Sequence, residues 1–112
     1  MSRPEIVICT YRVRRGREAE FERLLARHWP TLRALDLVTD RPPQHFRGCE
    51  PDGAPVFVEI FGWSSAEAAG IAHEHPEVMA IWEPMDQLTE TRGGRPNLEF
   101  PHYQPLSILG AA

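Results

Sequence analysis

Residues 56–63 read Val-Phe-Val-Glu-Ile-Phe-Gly-Trp, and this stretch decides the fold. β-Branched and aromatic residues dominate it, as they do in strands, so we predict a strand here. Residues 50–55, Glu-Pro-Asp-Gly-Ala-Pro, give a turn signal just before it. Residues 44–49, Gln-His-Phe-Arg-Gly-Cys, precede that turn and supply a second strand. Together, residues 44–63 predict an antiparallel hairpin.

Residues 5–13, Glu-Ile-Val-Ile-Cys-Thr-Tyr-Arg-Val, predict another strand. Both of its faces are largely apolar, and the same is true of residues 56–63. A strand with one face in water normally alternates apolar and polar residues. The pattern therefore predicts a sheet that is covered on both sides.

Residues 17–36 switch to helical periodicity. Apolar residues recur there every three or four positions, and a histidine lies among them. This stripe comprises Phe21, Leu24, Leu25, His28, Leu32 and Leu35. Pro30 has no backbone N–H, so we expect a kink or a break around Trp29.

Two shorter helical segments are predicted after the hairpin. Ser64 or Ser65 would cap the first segment, which runs to about His73. The second begins at Pro76, because proline suits the first position of a helix, and ends at the glycine-rich turn of residues 92–96.

A final strand is predicted over residues 97–103, at a sheet edge because Pro101 is tolerated only there. The order is then strand, helix, strand, strand, helix, strand. This predicts a single α+β domain over residues 1–112, a ferredoxin-like βαββαβ fold with a four-stranded antiparallel sheet. Helices would cover one face of the sheet, and a second copy of the chain is the economical cover for the other face. We therefore expect a homodimer through the sheet face.

Composition argues against several classes of function. Twelve basic and sixteen acidic residues give a formal net charge of −4, which argues against nucleic acid as the main partner. No apolar run approaches the ~20 residues of a membrane span, and the N-terminus shows no signal-peptide pattern, so we expect a cytoplasmic protein without a membrane partner. All twelve basic residues are arginine, which excludes a lysine base or Schiff base. Cys9 and Cys49 are expected to be reduced, with a disulfide as the alternative.

Two stretches carry a family resemblance. Residues 10–21 read Thr-Tyr-Arg-Val-Arg-Arg-Gly-Arg-Glu-Ala-Glu-Phe, and residues 58–68 read Val-Glu-Ile-Phe-Gly-Trp-Ser-Ser-Ala-Glu-Ala, with His75-Pro76-Glu77-Val78 following. They resemble the dimeric α/β-barrel superfamily and, within it, the antibiotic-biosynthesis-monooxygenase-like proteins. The resemblance spans most of residues 5–103. It implies a dimeric α/β barrel with a pocket between the sheet and its helices. Members include oxygenases that act on polycyclic phenols without metal or cofactor, and haem-degrading enzymes.

The resemblance also bears on individual residues. It places Trp63 where haem-degrading relatives have a tryptophan, and His73 or His75 where a histidine lies on the following helix. Those relatives also use an asparagine on the first strand. Residues 6–12 contain none, and the only asparagine of the chain is Asn97. The resemblance therefore implies a cofactor-free enzyme more than a haem-degrading one.

Two polar residues interrupt apolar patterns. His28 would be a hydrogen-bonded core histidine, or a general base that takes a proton from a phenol or enol. Glu59 is the one charge inside its strand. It would pair with an arginine such as Arg12 or Arg47, or it would be a pocket carboxylate with a raised pKa.

The His73-Glu74-His75 sequence looks like a metal-binding motif. On a helix, however, neighbours two apart diverge by about 200°, so we predict no metal site there. Several aromatic residues would form either plain core or a cavity that binds a flat aromatic ring. The candidates for ring binding are Tyr11, Trp29, Phe61, Trp63 and Trp82.

The leading hypothesis is a cofactor-independent, monooxygenase-like enzyme for an aromatic or polyketide-like small molecule. The candidate acid–base groups are His73, His75, His28 and Glu59. A non-catalytic homodimer that binds a small molecule is the first alternative. A haem or metal binder is the second.

Overall fold

Residues 3–108, which the computed structural model describes, form an α+β fold. The elements follow in the order β1 (Glu5–Arg12), α1 (Glu18–Ala34), β2 (Gln44–Cys49), β3 (Pro55–Trp63), α2 (Ala68–Ala72), α3 (Pro76–Gln87), β4 (Leu98–Glu99) and β5 (His102–Tyr103). The strands form one sheet in the order β2–β3–β1–β4, with β5 also paired to β1. Every pairing is antiparallel, so the predicted α+β fold class is confirmed.

The hairpin over residues 44–63 is confirmed. β2 and β3 pair in register from Gln44 opposite Ile60 to Cys49 opposite Pro55. The backbone N–H of Glu50 donates to the carbonyl of Ala54 at 2.8 Å and closes the turn. Gly53 has a φ of +90°, a conformation that favours glycine, at the tip of that turn.

Helix α1 runs without a break from Glu18 to Ala34, with Pro30 inside it. Of the two outcomes expected around Trp29, a kink or a break, the break does not occur. Proline removes one helical hydrogen bond, and burial of the apolar stripe keeps the rest of the helix together. The buried residues of α1 all belong to the predicted stripe: Phe21, Leu24, Leu25, His28 and Leu32. The sixth member of that stripe, Leu35, is the C-cap residue and is half-buried.

The second helical region begins and ends differently from the prediction. Neither serine caps α2; Glu67 occupies the cap position and makes no side-chain capping bond. Pro76 is the first residue of α3, as predicted, and α3 ends at Gln87, well before the turn of residues 92–96. The early end has a local cause, because the Thr89 hydroxyl donates to the carbonyl of Met85 and satisfies a group that a longer helix would have used.

The last strand of the sheet is divided in two. β4 and β5 both pair with β1, and Phe100 and Pro101 lie between them. Pro101 has no N–H, yet its carbonyl accepts from the backbone N–H of Ile8 at 3.2 Å. The predicted edge position therefore stands, with an interruption at the proline.

The two faces of the sheet differ. On the face toward the helices, β1 and β3 bury Val7, Cys9, Phe61 and Trp63. On the opposite face, here called the open face, Ile6, Ile8, Val58 and Ile60 are half-buried and Phe46 is 54% exposed. Cys9 and Cys49 are both free thiols. None of the helices within residues 3–108 is long and apolar enough to cross a membrane.

Candidate functional site

A cavity of about 550 Å³ lies between the buried sheet face and the helices. Strands β1 and β3 and helices α1, α2 and α3 all contribute to its lining. The residues that matter for the chemistry are His28, Phe61, Trp63, His73, Trp82 and His102. Its size and aromatic walls fit a compact, drug-sized organic molecule.

A buried carboxylate, Glu59, lies directly behind this cavity wall. The Tyr11 hydroxyl and His28 Nδ1 both bond to Glu59 Oε1 at 2.8 Å. His45 Nε2 bonds to Glu59 Oε2, also at 2.8 Å. Glu59 itself has no exposed surface. Three donors therefore satisfy both oxygens of a carboxylate that water does not reach.

The strand register explains why these groups meet. His45 lies directly opposite Glu59 in the β2–β3 pair, so their side chains share one face. Cys9 lies opposite Glu59 in the β1–β3 pair, and Tyr11 is two residues further on the same face. His28 comes from the inner stripe of α1, which packs on that face.

The hydrogen bonds control the ionisation of Glu59. Burial alone would raise its pKa, but the hydrogen bonds from His28, His45 and Tyr11, together with the electrostatic interaction with His28, outweigh burial and lower the pKa to about 2. The hypothesis of a pocket carboxylate with a raised pKa is therefore wrong. An ionised carboxylate only accepts, so His28 Nδ1 and His45 Nε2 each carry a proton.

The alternative partners suggested for Glu59, Arg12 and Arg47, are also wrong. Arg12 follows Tyr11 by one residue and so points to the opposite face, where it pairs with Glu99 at 2.6 Å. Arg47 lies at the outer edge of the sheet, 3.6 Å from Glu18 of α1.

His45 is the partly exposed donor to Glu59. Its hydrogen bond to Glu59 raises the pKa of His45, and its side chain is 42% exposed. His28 has a different role, because its Nε2 accepts from the indole N–H of Trp82 at 2.8 Å. An indole N–H only donates, so His28 is the neutral tautomer with its proton on Nδ1.

Only one of the two histidines in the His73-Glu74-His75 sequence lines the cavity, and their spacing predicts that they diverge. His73 is at the cavity, with its ring edge-on to that of Trp82 and the centroids 4.7 Å apart. Its ring nitrogens have no hydrogen-bond partner within the part of the chain that the structure describes. His75 is the N-cap residue of α3, 3.4 Å from Glu77, and does not line the cavity. Residues 3–108 hold no group of three or more side chains that could bind a metal ion.

The five aromatic candidates also separate. Phe61, Trp63 and Trp82 line the cavity, and the rings of Phe61 and Trp63 are 5.1 Å apart. Tyr11 and Trp29 do not line it; Tyr11 is buried behind the wall and Trp29 packs at the margin of the core. The indole N–H of Trp63 is buried and lacks a hydrogen-bond partner among the described residues.

Two site histidines carried no assigned role in the sequence analysis. His45 had a usable signal, since counting back across the predicted turn places it opposite Glu59. His102 lines the cavity, pairs opposite Val7 and bonds to Glu5 Oε2 at 2.7 Å. Nothing local in the sequence identifies His102, because its position depends on how the divided last strand pairs.

The charged groups at the cavity are mainly acidic. Glu83 and Asp86 line it. None of the arginines within residues 3–108 does so, although the chain has twelve basic residues and all are arginine. An anionic ligand would therefore find no guanidinium in the lining.

The fold is that of several solved structures. A variant of SnoaB, a cofactor-independent oxygenase from Streptomyces nogalater, is similar with a TM-score of 0.67 and 19% identity, covering 96% of this chain and 97% of that one. A protein of Nitrosomonas europaea, provisionally described as an antibiotic biosynthesis monooxygenase, has a TM-score of 0.68 and 10% identity, covering 95% of this chain and 93% of that one. Rv0793 from Mycobacterium tuberculosis has a TM-score of 0.65 and 19% identity, covering 96% of this chain and 99% of that one. The sequence matches no protein-family profile and no curated protein.

Proposed function

We propose that this protein is a cofactor-independent oxygenase that acts on an aromatic or polyketide-like phenol in the cavity. One observation carries the proposal: His73, whose ring nitrogens have no hydrogen-bond partner among the described residues, lines an aromatic cavity of about 550 Å³. A base near neutral pH and a shaped apolar site are what such a reaction requires. The likeness to SnoaB, itself a cofactor-independent oxygenase, supports the proposal.

His73 is the acid–base group in this proposal. It takes a proton from the substrate phenol or enol and leaves an electron-rich anion. That anion gives one electron to O₂, and the two radicals combine at the activated CH₂ carbon to form a peroxide. Loss of water then leaves a carbonyl, so one CH₂ and one O₂ become one C=O and one H₂O. The two further histidine candidates are less suited, because Trp82 occupies His28 Nε2 and His75 does not line the cavity.

Trp63 and Trp82 bind the substrate in this proposal. Trp63 lines the cavity and offers its ring to the aromatic ligand. Trp82 has already used its N–H on His28, so it offers only its ring to the aromatic ligand. Phe61 packs beside Trp63 and completes the apolar wall.

The active form in this proposal is a homodimer that buries the open face. Four half-buried aliphatic residues and the exposed Phe46 make this face apolar. The helices of residues 3–108 lie on the other side of the sheet. A second copy, packed sheet against sheet, removes the face from water.

Oxygen uptake with anthrone or 1,8-dihydroxyanthrone tests the proposed reaction, with the spontaneous rate subtracted. We expect one O₂ consumed per anthrone and a rate at least about 100-fold lower in His73→Asn, as for loss of a general base. His75→Asn is the matched control and should keep the native rate. Uptake that is absent, or unchanged in His73→Asn, contradicts the proposal. Binding of the phenol without uptake would instead favour a non-catalytic binding protein.

A further inference from the structure

We propose that Glu59 is a positioning residue: acting through His28, it fixes Trp82 and thereby the ring of His73. This inference rests on the proposed function, because it gives the buried carboxylate a part in that same site. Glu59 has no exposed surface and does not line the cavity, so it acts through other side chains.

The first link runs from Glu59 to His28. Glu59 Oε1 accepts from His28 Nδ1 at 2.8 Å. Tyr11 and His45 hold the carboxylate from two other strands, so this acceptor has a fixed position. An imidazole that donates from Nδ1 in its neutral form must leave Nε2 as an acceptor. Glu59 therefore selects the tautomer of His28.

The second link runs from His28 to Trp82. The indole N–H donates to His28 Nε2 at 2.8 Å and joins α3 to α1. With the other tautomer, His28 would present an N–H to the indole N–H, and two donors would face each other. This bond therefore depends on an acceptor at position 59, although Glu59 and Trp82 are not bonded to each other.

The third link runs from Trp82 to His73. The two rings meet edge-on, with centroids 4.7 Å apart and planes at 70°. His73 follows directly after the five-residue helix α2, and Trp82 is the one aromatic ring that its ring contacts within the described residues. The orientation of the proposed base therefore depends on that of Trp82, and displacement of a base by a fraction of an ångström slows proton transfer.

Two substitutions at position 59 separate an acceptor role from a merely structural one. Glu59→Gln keeps an amide oxygen for His28 and offers its N–H₂ to a neutral His45. We expect native kcat within about twofold and an unchanged NMR resonance for the Trp82 indole N–H. Glu59→Leu removes the acceptor, so we expect that resonance to move and kcat to fall roughly tenfold, with a smaller change in KM.

A double-mutant cycle adds a second readout, and its Trp82→Phe arm does not depend on whether Glu59→Leu is well folded. Trp82→Phe keeps a ring but removes the N–H, so it breaks the same chain at its other end. We expect a similar fall in kcat, and no further fall when Glu59→Leu is added to it. Additive losses, or a native kcat in Trp82→Phe, would overturn the inference.

The NMR measurement separates this inference from the proposed reaction. If the native protein consumes no oxygen, the reaction is wrong, and the Trp82 resonance in Glu59→Leu still reports on the positioning chain. If that resonance stays at its native shift in a folded Glu59→Leu protein, the positioning role is wrong, whatever the activity.

Discussion

Trp82 and His28 are joined by a hydrogen bond of 2.8 Å that uses the one polar atom of the indole and the one free lone pair of the imidazole. The bond leaves neither the indole N–H of Trp82 nor the Nε2 lone pair of His28 available to a ligand. The buried histidine, which the sequence suggested as a base, becomes part of the wall. The exposed histidine beside it, His73, keeps its nitrogens free for the cavity.

Acid should destabilise the protein through Glu59. Its pKa of about 2 in the folded state lies below the ordinary value of 4.5. The stabilisation is therefore complete above pH 4.5 and is lost as the pH falls toward 2, with a size of roughly 3 kcal/mol. Urea unfolding at a series of pH values measures it. In Glu59→Gln the free energy of unfolding should fall less steeply as the pH falls toward 2. An equally steep fall in that variant would show that Glu59 is not the group responsible.

His45 should titrate above its ordinary value, and the shift should depend on Glu59. The hydrogen bond to the carboxylate raises the pKa of His45 from 6.5, so its stabilising effect is complete below pH 6.5 and is lost as the pH rises through the folded-state pKa. The imidazole NMR signals of His45 report this directly. In Glu59→Gln the pKa of His45 should return toward 6.5, and a pKa that stays raised in that variant would contradict the assignment.

Ligand charge should decide affinity for the cavity. Glu83 and Asp86 line it and no arginine of the described chain does, so a neutral ring should bind better than an anionic one. Calorimetry with 1-naphthol and 1-naphthoate, two ligands of similar shape, should give the tighter Kd for naphthol. Glu83→Gln should reduce the difference in Kd between naphthol and naphthoate. Tighter binding of naphthoate would show that the acidic residues do not set the selectivity.

A charge on the open face should dissociate the proposed homodimer. Ile60 lies in the middle of that face, opposite Ile8 in the β1–β3 register. Ile60→Asp should give a monomer by light scattering at concentrations where the native protein is a dimer. Ile71→Asp is the control, because Ile71 is an exposed apolar residue of α2, on the helical side. A native protein that is monomeric at micromolar concentration would contradict the dimer.

A side chain at position 62 should destabilise the protein. A Cβ there would lie 3.0 Å from Thr39 Oγ1 and 3.3 Å from its Cγ2. Gly62→Ala should lower the free energy of unfolding by about 1–3 kcal/mol, and Thr39→Ala should recover part of the loss. Gly70→Ala in α2, where nothing lies within 4 Å, should be neutral or stabilising in the same denaturation assay.

Local patterns predicted the fold well because its elements are defined by local periodicity. The β-branched and aromatic residues of 56–63 and the turn before them predict the hairpin, and the buried residues of α1 belong to the predicted stripe. Pro30 was overestimated as a helix breaker, since packing of that stripe outweighs one missing hydrogen bond. Ser64 and Ser65 look like caps by type, but α2 starts later.

The site was harder to predict because its properties come from groups far apart in the chain. An isolated buried glutamate should have a raised pKa, and only the three donors from β1, β2 and α1 reverse the sign. Spacing showed that His73 and His75 diverge. Which of them faces the cavity depends on the packing of α2 and α3, which spacing alone does not specify.

The convergence of β1, β2, β3 and α1 on one carboxylate has a consequence for how the chain assembles. If only some of these elements were packed together, the Glu59 carboxylate would lose its water without gaining all three hydrogen-bond donors. Burying a charge in that way costs free energy. Partly assembled chains should therefore keep Glu59 hydrated and remain sparsely populated. Folding should be all-or-none, with tryptophan fluorescence and backbone circular dichroism following one shared transition.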